Sequence, residues 1–369
     1  MKTYLVGGAV RDGLLGRPAS DRDWLATGTD EEGLLGLGFK PVGSAFGVFL
    51  HPETHEEYAL PRGPGGTLEG DLAARDLTIN AMARDGNGHL IDPHGGEADI
   101  EARVLRHVGP AFAEDPARIF RVARFAAELT ELGFTVAAET SELMRAIVGE
   151  RGLRTLSPDR VWAELAKLLS VGSPEAGVDV LTSCGAVDEL LTDWAVPDGA
   201  APLGLDYGGA REALAAAPPT AVARLTAYLL GLRGTHGRLP GLTAFLRQCR
   251  LPKTALRLVE WSQDGPGGAS SLLERSPEEV VGLVGRILRR RDSGELEVFV
   301  AVAAAAAPAS GRVWGKEQTH SVREVARWVA TEGRPGPEDE GVEGDVLASR
   351  IRERQIAAVA AFLKGTARD

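Results

Sequence analysis

The first 23 residues constrain this chain more than any other stretch. Tyr4 to Val6 is apolar and ends in Gly7-Gly8. A helix-like stretch runs on to Leu14-Leu15-Gly16-Arg17, and Asp21-Arg22-Asp23-Trp24 follows. Strand, glycine turn, helix and strand make one short βαβ-like unit. Residues i and i+2 of an extended strand face the same side, so Asp21 and Asp23 present two carboxylates together. Such a pair suits Mg²⁺, which takes one or two carboxylates and completes its shell with water and substrate phosphates. Glycine lets a polyphosphate approach the backbone closely. Alone, Gly-Gly is a turn and Asp-x-Asp a solvated loop or cap. In this order and spacing they point to transfer of a nucleotide from an NTP. No Gly-Lys-Ser/Thr follows the glycines, so this is not a Walker loop.

A length of 369 residues implies two or three domains, and 44% hydrophobic with 25% charged residues is a globular composition. Cys184 and Cys249 have no C-x-x-C spacing, so neither a zinc site nor a disulfide framework is expected. Arg11 and Asp12 interrupt the first apolar stretch, which argues against a signal peptide. The apolar run from Val298 to Ala307 is too short to span a bilayer. The expectation is a cytoplasmic protein with no membrane partner, and no stable protein partner is inferable. A net charge of −11 argues mildly against nucleic-acid binding, since phosphate contacts need cations. Two basic clusters stand against it: Arg286 with Arg289, Arg290 and Arg291, and Arg350 with Arg352 and Arg354. Each reads as a solvated helix face or a binding patch.

Short strands are predicted at 2–8, 22–27, 39–42, 46–51 and 55–61, with helices near 9–16 and 30–37. A helix at 71–84 and a strand at 88–92 complete an α/β unit with a mixed sheet. Beyond Gly96 the strand signal fades. Apolar spacing of three and four marks helices at 97–107, 115–132, 138–149 and 158–171. Further helices read at 174–183, 219–233, 240–249, 277–291 and 295–307. Residues 333–345, rich in Gly, Pro and Glu, read as a linker before a last helix, 346–364.

Gly7-Gly8-x-Val10-Arg11-Asp12-x-Leu14-Leu15-Gly16-Arg17 followed by Asp21-x-Asp23 resembles the signature of class II tRNA nucleotidyltransferases, the CCA-adding enzymes and their poly(A) polymerase relatives. The resemblance implies an α/β nucleotidyltransferase head over 1–110 and a helical neck over 111–172. A helical body over 173–332, the linker and an α-helical tail over 346–369 follow. It implies in-line attack of a tRNA 3′-hydroxyl on the α-phosphate of CTP, with ATP as the further candidate, and release of pyrophosphate. Asp21 and Asp23 then hold Mg²⁺, and Gly8 and Arg11 bind the nucleotide. Glu57 is a candidate third carboxylate; an exposed edge-strand glutamate reads equally well there.

Three further motifs carry the resemblance. Arg75-Asp76-Leu77-Thr78-Ile79-Asn80-Ala81 is similar to a family motif that opens with two arginines; here Ala74 replaces the first, and Arg75 remains to meet the nucleotide. Its fork stays charged and bonds two oxygens at once. Glu114-Asp115-x-x-Arg118 looks like the family's amino-acid template for the incoming base, with Arg121 and Arg124 as further nucleotide contacts. By spacing alone, Asp115, Arg118, Arg121 and Arg124 form a polar helix stripe. Asp115 accepts from an exocyclic amine, and Arg118 donates to ring nitrogen and carbonyl. C and A carry an amine at that edge, whereas G and U offer a carbonyl. Leu156-Ser157-Pro158-Asp159-Arg160 resembles the family's last motif, with Asp159 in place of Glu. It reads as a helix start capped by Ser157, with a structural role.

Two absences narrow the expectation. Many bacterial members carry a His-Asp phosphohydrolase domain. None of His51, His55, His89, His94, His107, His236 and His320 is followed by Asp, so phosphohydrolase activity is not expected. The connection Pro61 to Gly70 is ten residues long, four of them Gly and two Pro. Full CCA-adding relatives have a longer flexible loop there, and enzymes that add only the two cytidines have lost it. Addition of CC is therefore favoured, with full CCA addition as the alternative. Poly(A) synthesis and an inactive tRNA-binding homologue remain further readings.

Overall fold

The computed structural model describes residues 1–18, 21–42, 47–62, 64–195, 207–232, 253–263, 268–288 and 294–366. The predicted helix at 240–249, Cys249, His236 and Arg289 to Arg291 lie outside them. The chain forms two compact units, residues 1–164 with 171–190, and residues 165–170 with 191–369.

The first unit is built on a seven-stranded mixed sheet. β1 (Lys2–Val6) leads into α1 (Gly8–Leu14), β2 (Asp23–Thr27), α2 (Glu31–Gly36), β3 (Lys40–Pro41), β4 (Val48–Leu50) and β5 (Glu57–Ala59). After α3 (Leu68–Ala73) come β6 (Ala83–Arg84) and β7 (Leu90–Ile91). The sheet order is β3-β4-β5-β2-β1-β6-β7, and only β2 and β5 run parallel within it. Strand side chains alternate in direction. Val6, Leu25 and Ala83 therefore pack with Leu68 and Leu72 of α3 in one core, while Ala26 and Phe49 pack with Leu34 and Phe39 in another.

The sequence-predicted helix at 71–84 is three pieces instead. α3 starts at Leu68, capped by the Thr67 hydroxyl, and stops at Ala73. A 3-10 turn at Thr78–Asn80 and β6 follow. The cause is polar and tertiary. Leu77 is extended and bridges His107, the Asp76 carboxylate takes the Leu77 N–H, and the Thr78 hydroxyl donates to Asp99 at 2.6 Å. α4 (Gly96–Ala102) packs closely on this turn: a Cβ on Gly96 would lie 2.3 Å from the Thr78 carbonyl oxygen. The expected helix at 97–107 is cut short by β8 (Val104–Leu105), which pairs in parallel with β9 (Thr135–Val136). Two-residue strands are too short to leave an alternating pattern.

Between them lies α5 (Arg118–Glu128), shorter than the expected 115–132, and it packs against α8 (Pro174–Ser183). α6 (Ala138–Gly149) and α7 (Pro158–Leu169) precede α8, and α9 (Ala186–Ala195) follows it.

The described part of the second unit is helical: α10 (Gly208–Ala216), α11 (Ala221–Gly231), α12 (Lys253–Gln263), α13 (Pro277–Leu288), α14 (Gly294–Ala306), α15 (Lys316–Glu332) and α16 (Gly344–Thr366). α10, α11 and α14 meet through alanines, including Ala213, Ala223, Ala227 and Ala305. Val280, Val284, Phe299, Val322, Val325 and Val359 form a larger core. The segment read as a linker holds a 3-10 turn at Pro337–Asp339, and Arg354 of α16 grips the buried Asp339 at 2.8 Å. No described helix is long and apolar enough to cross a membrane.

Candidate active site

A cleft of about 1290 Å³ in the first unit is lined by every residue singled out from the sequence: Gly8, Arg11, Asp21, Asp23, Glu57, Arg75, Asp115, Arg118, Arg121 and Arg124. They come from well-separated segments, and the sheet explains the convergence. β1 and β2 are antiparallel with Val6 opposite Asp23, so the chain leaves β1 at Gly7 just where β2 begins. Parallel pairing of β2 with β5 sets Glu57 opposite Asp23. The next pair in register, Trp24 and Tyr58, stacks at 5.8 Å and 13°. Only Asp23 lies on the strand; Asp21 precedes it, exposed, rather than sharing it as expected.

Burial raises the Asp23 carboxyl above its ordinary value; Arg75 and Arg62 act against this and Asp21 adds to it. The repulsion between the two carboxylates is what a divalent cation would relieve. Among the described residues no group of three or more His, Cys, Asp or Glu side chains is arranged to enclose a metal alone. Mg²⁺ is held through one or two carboxylates with water and substrate phosphates, so Asp21 and Asp23 fit that ion.

The opposite wall is cationic and tightly braced. Arg75 lies just past α3, where Asp71 holds its Nε at 3.0 Å and Nη2 at 2.9 Å, while Nη1 donates to the Asn80 carbonyl. Gly7, at φ +70°, leaves room for it: a Cβ there would sit 2.8 Å from Arg75 Nη1. Arg11 is buried, with its guanidinium committed to Asp12 and, at 2.8 Å, to Asn80 Oδ1. Asn80 in turn donates to Asp76, whose other oxygen accepts from Arg121 Nε at 2.6 Å. Burial works to raise the Asp76 carboxyl, but the Arg121 charge and the hydrogen bonds outweigh it and hold the group below its ordinary value. Burial likewise opposes the charge on Arg121, and Asp76 more than offsets it. The Phe125 ring carries Arg124 at 4.5 Å, Arg11 at 5.1 Å and Arg121 at 5.9 Å, in cation–π geometry.

Asp115 and Arg118 do not lie on one helix stripe. Asp115 is extended, at φ −132° and ψ 94°, and α5 begins only at Arg118. Nor do their side chains pair, although the Arg118 N–H donates to the Asp115 carbonyl at 3.0 Å. Arg118 donates to the carbonyls of Ala74, Ala111 and, at 3.4 Å, Arg75. Asp115 accepts from the Ala117 N–H at 3.2 Å and from Arg160 Nη2 at 2.6 Å. Sequence reasoning gave no site role to Arg160, Asp76, Asn80 or Phe125, all of which line the cleft. Arg160, Asp76 and Asn80 stood inside quoted motifs, but nothing local in the sequence names their partners.

Residues 46–106 match the Poly A polymerase head domain, and residues 133–196 the probable RNA and SrmB-binding site of polymerase A. The chain is 37% identical over 380 residues to the CCA-adding enzyme of Pseudomonas putida (strain W619), covering 98% of each. It is 54% identical over 209 residues to the Multifunctional CCA protein of Pseudomonas paraeruginosa (strain DSM 24068 / PA7), covering 52% of this chain and 51% of that protein. It thus aligns with about half the length of that relative. The fold is like that of the Bacillus stearothermophilus CCA-adding enzyme crystallised with CTP: TM-score 0.65, 24% identity, 97% of this chain and 89% of the other. With a near-full-length relative at this identity and a sheet-and-helix fold of the same kind, the chain belongs to the CCA-adding enzyme family of nucleotidyltransferases.

Proposed function

We propose that this chain adds nucleotides of the 3′-terminal CCA to tRNA from CTP, without a nucleic-acid template, in the cytoplasm. The observation that carries the reading is the meeting of a carboxylate pair, a braced arginine wall and the Asp115–Arg118 edge in one cleft. Asp21 and Asp23 would hold a divalent cation, Mg²⁺ by donor type, with Glu57 beside them. When bound, such a cation would neutralise phosphate charge and favour ionisation of the attacking hydroxyl. The tRNA 3′-oxygen bonds to the α-phosphorus as the bond to the bridging oxygen breaks, and pyrophosphate leaves. Arg75, Arg121 and Arg124 face the triphosphate, Arg11 braces that wall through Asn80, and Gly8 lets the backbone approach it. Asp115 and Arg118 meet the base edge. The head, neck, body, linker and tail divisions expected from the sequence are part of the same proposal.

The test is extension of a tRNA lacking its 3′ end. Asp21→Ala or Asp23→Ala should cut incorporation at least about a thousandfold, the several kcal/mol a metal site contributes. Binding of tRNA should persist, because distant cations hold it. Near wild-type turnover of Asp21→Ala would remove the reading. A product of two or three nucleotides separates this activity from poly(A) synthesis, which continues. CC addition is the favoured product, supported by the short connection before α3; the full-length relative's name supports CCA.

A further inference from the structure

We propose that Arg160 is a specificity-determining positioning residue, which fixes the Asp115 carboxylate so that it faces the nucleobase as an acceptor. This rests on the reading of Asp115 and Arg118 as the base-edge contacts and goes beyond it.

A base selector made of one carboxylate and one guanidinium needs both groups aimed in the absence of the base. Arg118 is aimed by backbone: the carbonyls of Ala74, Arg75 and Ala111 take up its fork. Asp115 has no such support from Arg118. One carboxylate oxygen accepts the Ala117 N–H, two residues away, at a lengthy 3.2 Å. The other takes Arg160 Nη2 at 2.6 Å, from a residue 45 positions away in the first turn of α7. That turn is itself anchored, with the Arg160 N–H donating to the Ser157 carbonyl at 3.0 Å. Arg160 and Asp115 are 52% and 29% exposed at the side chain, and exposed pairs contribute little to folding. The bond matters through geometry. A terminal carboxylate rotates easily about its last torsion. Pinned by Arg160, it offers an amine of C or A an acceptor and sets oxygen against the carbonyl of U or G. Unpinned, it can swing aside, and the repulsion that excludes the carbonyl bases is lost.

CTP and UTP are the cleanest probes, because at position 4 one carries an amine and the other a carbonyl. The kcat/KM ratio for the two on a tRNA lacking its 3′ end is compared across wild type, Arg160→Gln, Arg160→Lys, Asp115→Ala and the double variant. Arg160→Gln should lower the CTP-to-UTP ratio about three- to tenfold, the worth of one hydrogen bond. Arg160→Lys should restore part of it. Asp115→Ala should lower the ratio at least as far, and adding Arg160→Gln to it should change nothing more. A ratio from one preparation is insensitive to the fraction folded, and Tm should stay near wild type in Arg160→Gln. If Asp115→Ala erodes the ratio and Arg160→Gln leaves it intact, or if the two effects add in full, the role of Arg160 is overturned. If Asp115→Ala itself leaves the ratio intact, the base-edge reading fails instead.

Discussion

Gly7 and Arg75 show how a residue without a side chain places one with a long side chain. The glycine pair is legible in the sequence, and its reading there is close approach of a triphosphate. The structure gives the space over Gly7 to the Arg75 guanidinium, at 2.8 Å from where a Cβ would be. Gly7→Ala meets two costs. Its φ of +70° with ψ of −133° suits glycine alone, at about 1–3 kcal/mol for another residue. The new methyl also displaces Arg75 from the Asn80 carbonyl. The expected outcome is a lower Tm together with a several-fold higher KM for CTP. An unchanged KM beside a lowered Tm would separate Arg75 from the triphosphate. That the motif residues would meet in one place could be read from the sequence, and they line one cleft. The partners of Asp76 and Arg160 could not, since each lies 45 positions away.

At the scale of elements, residues 71–84 are the instructive failure. Apolar spacing suggests a single helix, but the stretch is divided by groups that bond out of register with one. Asp76 caps Leu77 and binds Arg121, and Thr78 bonds Asp99. Local hydrogen bonds of this kind compete with helix, and periodicity registers only apolar positions. The same buried Asp76 makes folding pH-dependent. Its folded value lies below the ordinary one, so its contribution is fully present above the unfolded value of about 4 and is lost as pH falls through the folded value. Asp76→Asn should flatten this acid limb in denaturant titrations. At pH 7 it should destabilise by less than the ~3–5 kcal/mol of a fully buried broken pair, because Arg121 keeps access to solvent. It should also raise KM for CTP, since Arg121 loses its brace. A wild-type acid limb in Asp76→Asn would assign that limb elsewhere. Gly96→Ala probes the same junction without charge. Its methyl meets the Thr78 carbonyl and Met82, and overpacking of this sort costs about 1–3 kcal/mol, read as a fall in Tm.

At the scale of the whole molecule, the division into an α/β head and a helical remainder was legible, because the change from strand-like to helical spacing near residue 96 follows the chain. The packing of the helical remainder was not, because alanine-lined contacts such as Ala213 with Ala223 and Ala227 leave little periodic signal. The connection between β5 and α3 bears on the proposed product. It is shorter than the sequence suggested, since α3 begins at Leu68 rather than near Asp71. It is also held near both ends: the Arg62 N–H donates to Asp71 at 3.2 Å, and the Thr67 hydroxyl caps α3. On the proposed role of Asp115 and Arg118 as the base edge, passing from C to A would seat a larger base there, which calls for a head that can re-form around it. Loops that reshape a site need length, and this connection has little. Given a tRNA lacking its 3′ end, the protein should add two cytidines from CTP and stop, with ATP present or absent. Given a tRNA ending in CC, it should add little or no A. Sequencing of product ends with CTP alone, ATP alone and both together decides the matter. Efficient A addition to the CC-ended tRNA would establish full CCA addition, matching the name of the full-length relative, and would show that the switch does not reside in this connection.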